Sequence, residues 1–595
     1  MSNLNLGAIG NCQIASLIDR LGTMVWSCLP QLDGDPMFCR LMRANQGRDD
    51  PGYFEIELAN FRRSEQRYLD NSPILETVLH DRHGNSVSIT DFAPRYEYLG
   101  RMFKPMMLIR GLRPLHGQPR IRIRLRPAYG YGTRACEITH GSNHIRYVSP
   151  DLSLRLTTDV SLTRVLEESA FVLDRPQHLI VGPDETIREA VAESYRTHFE
   201  CTNAYWRGWA RGLAIPFEWQ SAVIRAAITL KLCTFEDTGA VIAAMTTSIP
   251  EAPDSGRNWD YRYCWLRDSF FVVQALNRLG ATRTMEEYLR YIVNVAAAAG
   301  NEPLQPVYSI TGRADLSERT VESLDGYQGM GPVRVGNQAF EQTQNDVYGA
   351  VVLSATRYFF DRRLARPGQI AEFGRLEYIG ERAAALYMEP DAGLWEYRGR
   401  KCVHTFSSLM CWAACDRIAK IANRIGEADR AAYWRKKADV IHDAICKLAW
   451  DDKLKSFTGT FGKPEMDASL LMMPDLGFLP TADERFVSTV AAIEKQLRRG
   501  QHMFRYQAAD DFGVPESAFN ICTFWYIDAL ADIGRKEEAR ELFENMLSCR
   551  NPLGLLSEDL DPATGTLWGN FPQTYSMAGI INAAVRLSRS WEEAL

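Results

Sequence analysis

The chain has 595 residues, 46% of them hydrophobic, and carries 68 Lys and Arg against 74 Asp and Glu for a net charge of -6. That balance gives no electrostatic footing for nucleic acid or for an anionic membrane surface, and points to a neutral small molecule as partner. Apolar runs such as Ala226 to Thr234 are broken by Lys231, well short of the roughly 20 residues a membrane span needs. The length gives a prior of roughly three to four domains; two are expected.

The N-terminal MSNLNLGAIGNCQIASLIDRLG has no basic n-region and no small-residue cleavage site, and its first charge is Asp19. It is read as lacking a secretory signal. Thirteen cysteines with no CxxC pair suit reduced thiols in a cytoplasmic enzyme. Cys411 and Cys415, four apart on a predicted helix, share a face without a histidine to complete a metal set, and are read as core.

From Gly22 to Asp174 short alternating segments recur between turn signals: GTMVWSCLP, GYFEIEL, NSVSITDFAP, PRIRIRLRP and HIRYVSPDLSLRLTTD. They predict antiparallel sheets, most simply a sandwich. The stretch from Glu185 to Leu213 then reads as a helical linker. Helical segments follow, among them Trp219 to Phe235, Phe270 to Leu279, Arg375 to Tyr387, Ser407 to Ile425, Ala431 to Leu448 and Phe519 to Ile533. Gly280, Gly426 and Gly534 supply C-terminal stops. About a dozen such helices would close into a ring of inner and outer pairs. The expected division is a β-sandwich over 1–184, a helical linker over 185–215 and a helical toroid over 216–595.

Two carboxylates stand among aromatic and arginine neighbours: Glu396 in DAGLWEYRGR and Glu558 in NPLGLLSEDLDPATGTLWGNFPQ. Such a pair, brought together by folding, is what acid and base hydrolysis of a glycosidic bond requires. Each also reads as a plain surface acid. NWDYRYCWLRDS sets Trp259, Tyr261, Tyr263 and Trp265 at every second position ahead of Arg267 and Asp268. Aromatic faces stack on a pyranose and Arg and Asp bond its hydroxyls; the alternative is a core strand capped by Asp268 or Ser269. In LDGYQGMGPVRVGNQAFEQTQNDVYG, Gln344, Asn345 and Asp346 suit either sugar hydroxyls or a helix cap, and Asn337 stands where a phosphate loop needs Lys. Ten dispersed histidines, with no HExxH and no GxSxG, leave metallohydrolase and serine hydrolase readings without support. His404 is read as structural.

The order WLRDS, GYQGMGPVRVGNQAFEQTQNDVYG, GLWEYRG, SSLMCWAACDR, ESAFNICTFWYIDALADIGR and GLLSEDLD with GNFPQTYS closely resembles glycoside hydrolase family 15. The N-terminal LGAIGNCQIASLIDRLGTMVWSCLPQLDGDPMFC is similar to its prokaryotic members. That family holds glucoamylases, glucodextranases, isomaltose-releasing glucosidases and prokaryotic trehalases. The resemblance implies a mainly α chain with an N-terminal β domain: a β-sandwich followed by an (α/α)6 barrel. It implies Glu396 as general acid, Glu558 as general base, Arg267 and Asp268 as the grip on the terminal glucose, and Trp265, Trp395 and Arg398 in the same pocket.

The expected reaction is inverting, exo-acting hydrolysis of a small α-glucoside, as a trehalase or glucoamylase, with no metal or organic cofactor. The two carboxyl groups should stand roughly 6.5 to 9.5 Å apart. Burial beside Trp395 should raise the acid's pKa, while the base stays ionised. Met577, Ala350 and Ser408 depart from the family's usual histidine, glutamate and lysine; Met577 and Ser408 are expected near the leaving-group subsite. An inverting sugar phosphorylase and a catalytically silent carbohydrate-binding protein are the alternatives.

Overall fold

A computed structural model describes residues 3–44, 47, 50–300 and 302–595. The N-terminal part is two antiparallel sheets. The first orders Gly7–Gly10, Ala15–Ile18, Met24–Leu29, Tyr53–Leu58, Arg120–Arg126 and Phe171–Val172, with Asp35–Phe38 beside Met24–Leu29. The second runs Glu137–His140, His144–Val148, Ser153–Thr158, Gln177–Pro183, Leu108–His116, Ser86–Phe92, Leu75–Asp81 and Phe61–Tyr68. Their facing side chains, among them Phe54, Ile56 and Ile123 from one sheet and Leu79, Val87 and Ile89 from the other, form the sandwich core.

The first sheet is apolar on both faces because it has two neighbours. Ile9, Ile18 and Met24 enter the sandwich core, while the adjacent Ala8, Leu17 and Val25 enter the core of the helical domain. Side chains of a strand alternate between faces, so a strand buried on both reads as a continuous apolar run. The helix Val191–Arg211 crosses between the two parts, its Tyr195 and Phe199 edge-on to Phe92 of the second sheet.

The helices after it form a closed ring. Inner members are Leu266–Arg278, Asp346–Phe360, Thr405–Ile425, Ala468–Met472, Asn520–Asp532 and Thr574–Leu587, each packed on the next and the last on the first. Outer members are Gln220–Leu232, Thr282–Ala299, Ile370–Leu386, Ala428–Leu448, Glu484–Leu497 and Lys536–Ser548. An inner helix is surrounded by protein, and Asn520 to Leu530 are all buried. An outer helix buries a stripe, as Phe486, Val490, Ile493 and Leu497 do at helical spacing.

The ring differs from the sequence expectation at one place and at several ends. Its fourth inner member is a five-residue 3-10 helix, too short for any helical periodicity. The expected helix Phe270 to Leu279 begins at Leu266, so Asp268 lies in its first turn instead of capping it. The expected Arg375 to Tyr387 begins at Ile370, where Gln369 and Glu372 form a capping box.

Connections are unequal at the two ends. From inner to outer helix the chain turns within 279–281, 426–427 and 533–535, whereas outer-to-inner segments span 233–265, 300–345, 387–404, 449–467, 498–519 and 549–573. Six long segments therefore gather over the N-terminal ends of the inner helices, where the helix dipoles favour negative charge. Among the described residues no helix is long and apolar enough to cross a membrane. All thirteen cysteines are unpaired thiols, Cys411 and Cys415 fully buried in the helix Thr405–Ile425.

Candidate active site

The long segments enclose a cleft of about 860 Å³, mouth included. Trp265, Arg267, Asp268, Trp395, Glu396, Arg398 and Glu558 all line it. Depth is read from exposure: Trp265, Arg267 and Tyr575 are buried, whereas Phe512 at the mouth is 36% exposed.

Glu396 sits in a tight turn. Its N–H donates to the Gly393 carbonyl at 3.2 Å, and that of Tyr397 donates to Ala392 at 3.1 Å. Asp391 and Cys402 bond each other through both backbone groups and tie the segment's ends. The turn needs left-handed backbone at Gly393 (φ 66°) and at Glu396 itself (φ 61°). For a glutamate this conformation costs on the order of 1 to 3 kcal/mol, a cost met most often at functional sites. Three donors converge on its Oε1: Trp265 Nε1 at 2.6 Å, Arg267 Nη2 at 3.3 Å and Gln344 Nε2 at 3.3 Å.

Arg267 holds this side of the cleft together. Its Nη1 donates to Gln344 Oε1 at 2.8 Å and to Asp346 Oδ2 at 3.1 Å, and its Nε lies 3.5 Å from Asp268 Oδ1. Burial pushes the Asp268 carboxyl up to about 7, and Glu396 and Asp346 add to the shift while Arg267 opposes it. Gln344 and Asp346 thus serve Arg267 and Glu396, and the helix-cap alternative falls away, since no side chain caps Asp346–Phe360. Trp395 Nε1 donates to Asp467 at 2.8 Å, and its ring stands edge-on to Phe519. Arg398 pairs with Glu318 at 2.9 Å and lies 4.4 Å over Trp259.

Glu558 enters from the opposite side. Its N–H donates to Asn570, and its carbonyl accepts from Asn520 N at 3.0 Å. The strand Asp559–Leu560 that follows is paired on both edges, by Ala518–Phe519 and Leu567–Trp568. Gly569 is required beside it: at φ 73° a Cβ there would meet Glu558 Cβ at 2.8 Å. The residue is 2% exposed, and its carboxyl Oε2 is buried with no protein hydrogen-bond partner.

The surroundings of Glu558 work against the ionised form expected of it. Burial, then the adjacent Asp559 and the nearby Glu251, hold its carboxyl well above the usual range; the Tyr261 hydroxyl and the charge of Arg505 pull the other way. Asp559 is raised by the same burial and by Glu251. Glu558 and Asp559 are thus adjacent buried carboxyls whose proton affinities are raised together. Arg505 pairs with Glu251 at 2.6 Å, and Arg257 is bidentate to Asp510 at 2.6 Å on both bonds.

Glu251, Arg257, Arg505, Asp510 and Tyr575 line the cleft without having been singled out in the sequence. Glu251 and Arg257 come from IPEAPDSGRNW and Arg505 from MFRYQ, stretches with no local pattern that tells a site residue from a loop charge. Met577 and Ser408, expected near the site, are in the core instead, where the Ser408 hydroxyl donates to the Tyr387 carbonyl at 2.6 Å. Ala350 is also fully buried. His404 precedes an inner helix and stacks on Tyr397; burial lowers its pKa to about 4.

A ring of helix pairs whose long loops bring two separated glutamates to one cleft is the layout of a glycoside hydrolase. Residues 219–585, from the first outer helix to the last inner one, match the model of glycosyl hydrolases family 15, and the chain belongs to that family. The trehalase of Mycobacterium tuberculosis is 33% identical over 98% of this chain and 89% of its own length. That of Thermoplasma volcanium is 31% identical over 99% of this chain and 93% of its own. A bacterial glucoamylase solved with acarbose superposes with a TM-score of 0.70 over 98% of this chain and 94% of its own, at 13% identity, so the fold is shared from the sandwich through the ring.

Proposed function

We propose that the protein is an inverting, exo-acting α-glucosidase that removes terminal α-linked glucose from small α-glucosides and releases β-glucose. Trehalose leads the candidate substrates, because the trehalases align over nearly the whole chain; isomaltose and malto-oligosaccharides follow. The observation that carries the reading is the presence of Glu396 and Glu558 in one cleft, each delivered by its own rigid turn.

Glu396 acts as general acid on the glycosidic oxygen, and Glu558 as general base towards water at the opposite ring face. The buried Arg267 and Asp268 grip the terminal glucose, with Trp265 and Trp395 as apolar walls and Arg398 nearer the mouth. The transition state resembles an oxocarbenium ion, and the negative cluster of Glu251, Glu558 and Asp559 favours that developing positive charge. The soluble cytoplasmic setting, and the division at 184 and 215, stand with this reading.

The test is to incubate the purified protein with trehalose, isomaltose and maltotetraose, with and without phosphate, and to follow anomeric protons by NMR. Initial β-glucose independent of phosphate is the expected result. Initial α-glucose would overturn inversion, and phosphate-dependent release of a sugar phosphate would favour a phosphorylase.

A further inference from the structure

The segment Trp259 to Trp265 has two sides, and only one belongs to the cleft. Trp259 and Tyr261 line it together with Glu558, Tyr261 lies edge-on to Trp265 at 5.3 Å, and Trp265 at the segment's end donates to Glu396 at 2.6 Å. The same short stretch thus carries a neighbour of each glutamate. Between them, with the alternation of an extended chain, Asp260 and Arg262 point away. Both are 0% exposed.

Arg262 reaches into the β-sandwich. Its Nη1 donates to the Gly34 carbonyl at 2.8 Å and approaches Cys28 Sγ at 3.4 Å; its Nη2 donates to the Tyr131 hydroxyl at 3.3 Å. The guanidinium lies 5.6 Å from the Tyr131 ring centre and 6.0 Å from that of Trp26. Gly34, Cys28, Trp26 and Tyr131 all come from the sandwich part of the chain. On its own segment Arg262 is bidentate to Asp260, at 2.9 and 2.7 Å, and the Asp260 carbonyl accepts from Asn337 at 3.3 Å. A planar fork with every donor engaged fixes its backbone more tightly than a flexible cation could.

We propose that Arg262 is a positioning residue through which the β-sandwich sets Tyr261 against Glu558 and Trp265 against Glu396, so that the N-terminal domain is part of the apparatus that aligns acid and base. The proposal rests on the roles given to those glutamates above. A buried ion pair is by itself a weak source of stability, and replacing both partners by neutral groups is often tolerated. The engagement of Arg262 is therefore expected to matter more for alignment than for folding. A displacement of about 1 Å at reacting groups costs on the order of 100-fold in rate.

Arg262→Met alone leaves Asp260 buried and unpaired, so the informative variant is the double Arg262→Met with Asp260→Asn, beside the conservative Arg262→Lys. With the circular dichroism spectrum unchanged, kcat on the best substrate is expected to fall on the order of 100-fold with KM altered far less, and Arg262→Lys to recover part of the loss. A readout independent of turnover is the Glu558 carboxyl in protein carrying 13C-labelled glutamate, assigned with Glu558→Gln. Displacement of the Tyr261 hydroxyl, which favours the ionised form of Glu558, should move its titration upward in the double variant. A folded double variant with parental kcat and an unmoved Glu558 titration would overturn the proposal. Absence of glucose release by the parent would instead overturn the functional reading, and the titration would still decide the role of Arg262.

Discussion

Glu396 and Glu558 line one cleft, yet their surroundings are nearly opposite. Glu396 lies on an irregular turn, its side chain 24% exposed, with an indole, a guanidinium and an amide converging on one oxygen. Glu558 is sealed beside a paired strand with Tyr261 lining the same cleft, and burial, Asp559 and Glu251 raise its proton affinity. Position is thus enforced at Glu396 by directed hydrogen bonds and local strain, and at Glu558 by close packing and a glycine. The contrast also places Glu558 beside a second buried carboxyl, so its titration is linked to that of Asp559 as well as to burial.

The strongest disruption is removal of either carboxylate. Glu396→Gln and Glu558→Gln should each lower glucose release on the order of 1,000-fold or more while the circular dichroism spectrum stays that of the parent. Parental activity in either variant, measured in a coupled glucose assay, would remove that residue from its role. Gly569→Ala attacks only the packed side: a Cβ 2.8 Å from Glu558 Cβ, at positive φ, should cost on the order of 10 to 100-fold in kcat. Thermal unfolding should register about 1 to 2 kcal/mol.

Subtler changes act through charge. Glu558 with its raised pKa must lose a proton to work, and Asp268 reaches its ionised form only at about 7. The kcat/KM profile should therefore fall from near neutral pH downward, not from the ordinary carboxylate range near 4. Glu251→Gln removes a like charge from Glu558, so it should move that acidic limb to lower pH; a limb unmoved or moved upward would count against the cluster. The smallest effect is expected at the mouth. Phe512→Ala, which removes an edge-on contact to Trp259 at 5.1 Å, should raise KM a few-fold and leave kcat nearly unchanged.

What was legible in the sequence had a local period or an ordered set of motifs. Strands such as Tyr53–Leu58, Ser86–Phe92 and Arg120–Arg126 were visible as alternation, and Thr405–Ile425 and Ala428–Leu448 as helical spacing. The inner position filled by Ala468–Met472 was hidden because five residues carry no period. Trp265, Arg267, Asp268 and Glu396 stood out because aromatic, cationic and acidic residues adjoin in sequence. Glu251 and Arg505 did not, since their meaning arises only when segments 254 positions apart meet in an ion pair. The aromatic side of WDYRYCW was readable, but the role of Arg262 on its other side depends on a domain more than 100 residues earlier. The raised proton affinity of Glu558 was likewise invisible, because burial is a property of the fold.

The assignment of acid and base is tested most directly with α-glucosyl fluoride, whose leaving group departs without being protonated. Glu396→Gln should turn it over within about tenfold of the parent rate while failing on trehalose and maltotetraose, and Glu558→Gln should fail on all three. Retention of fluoride turnover by Glu558→Gln together with its loss in Glu396→Gln would contradict the account and exchange the two roles.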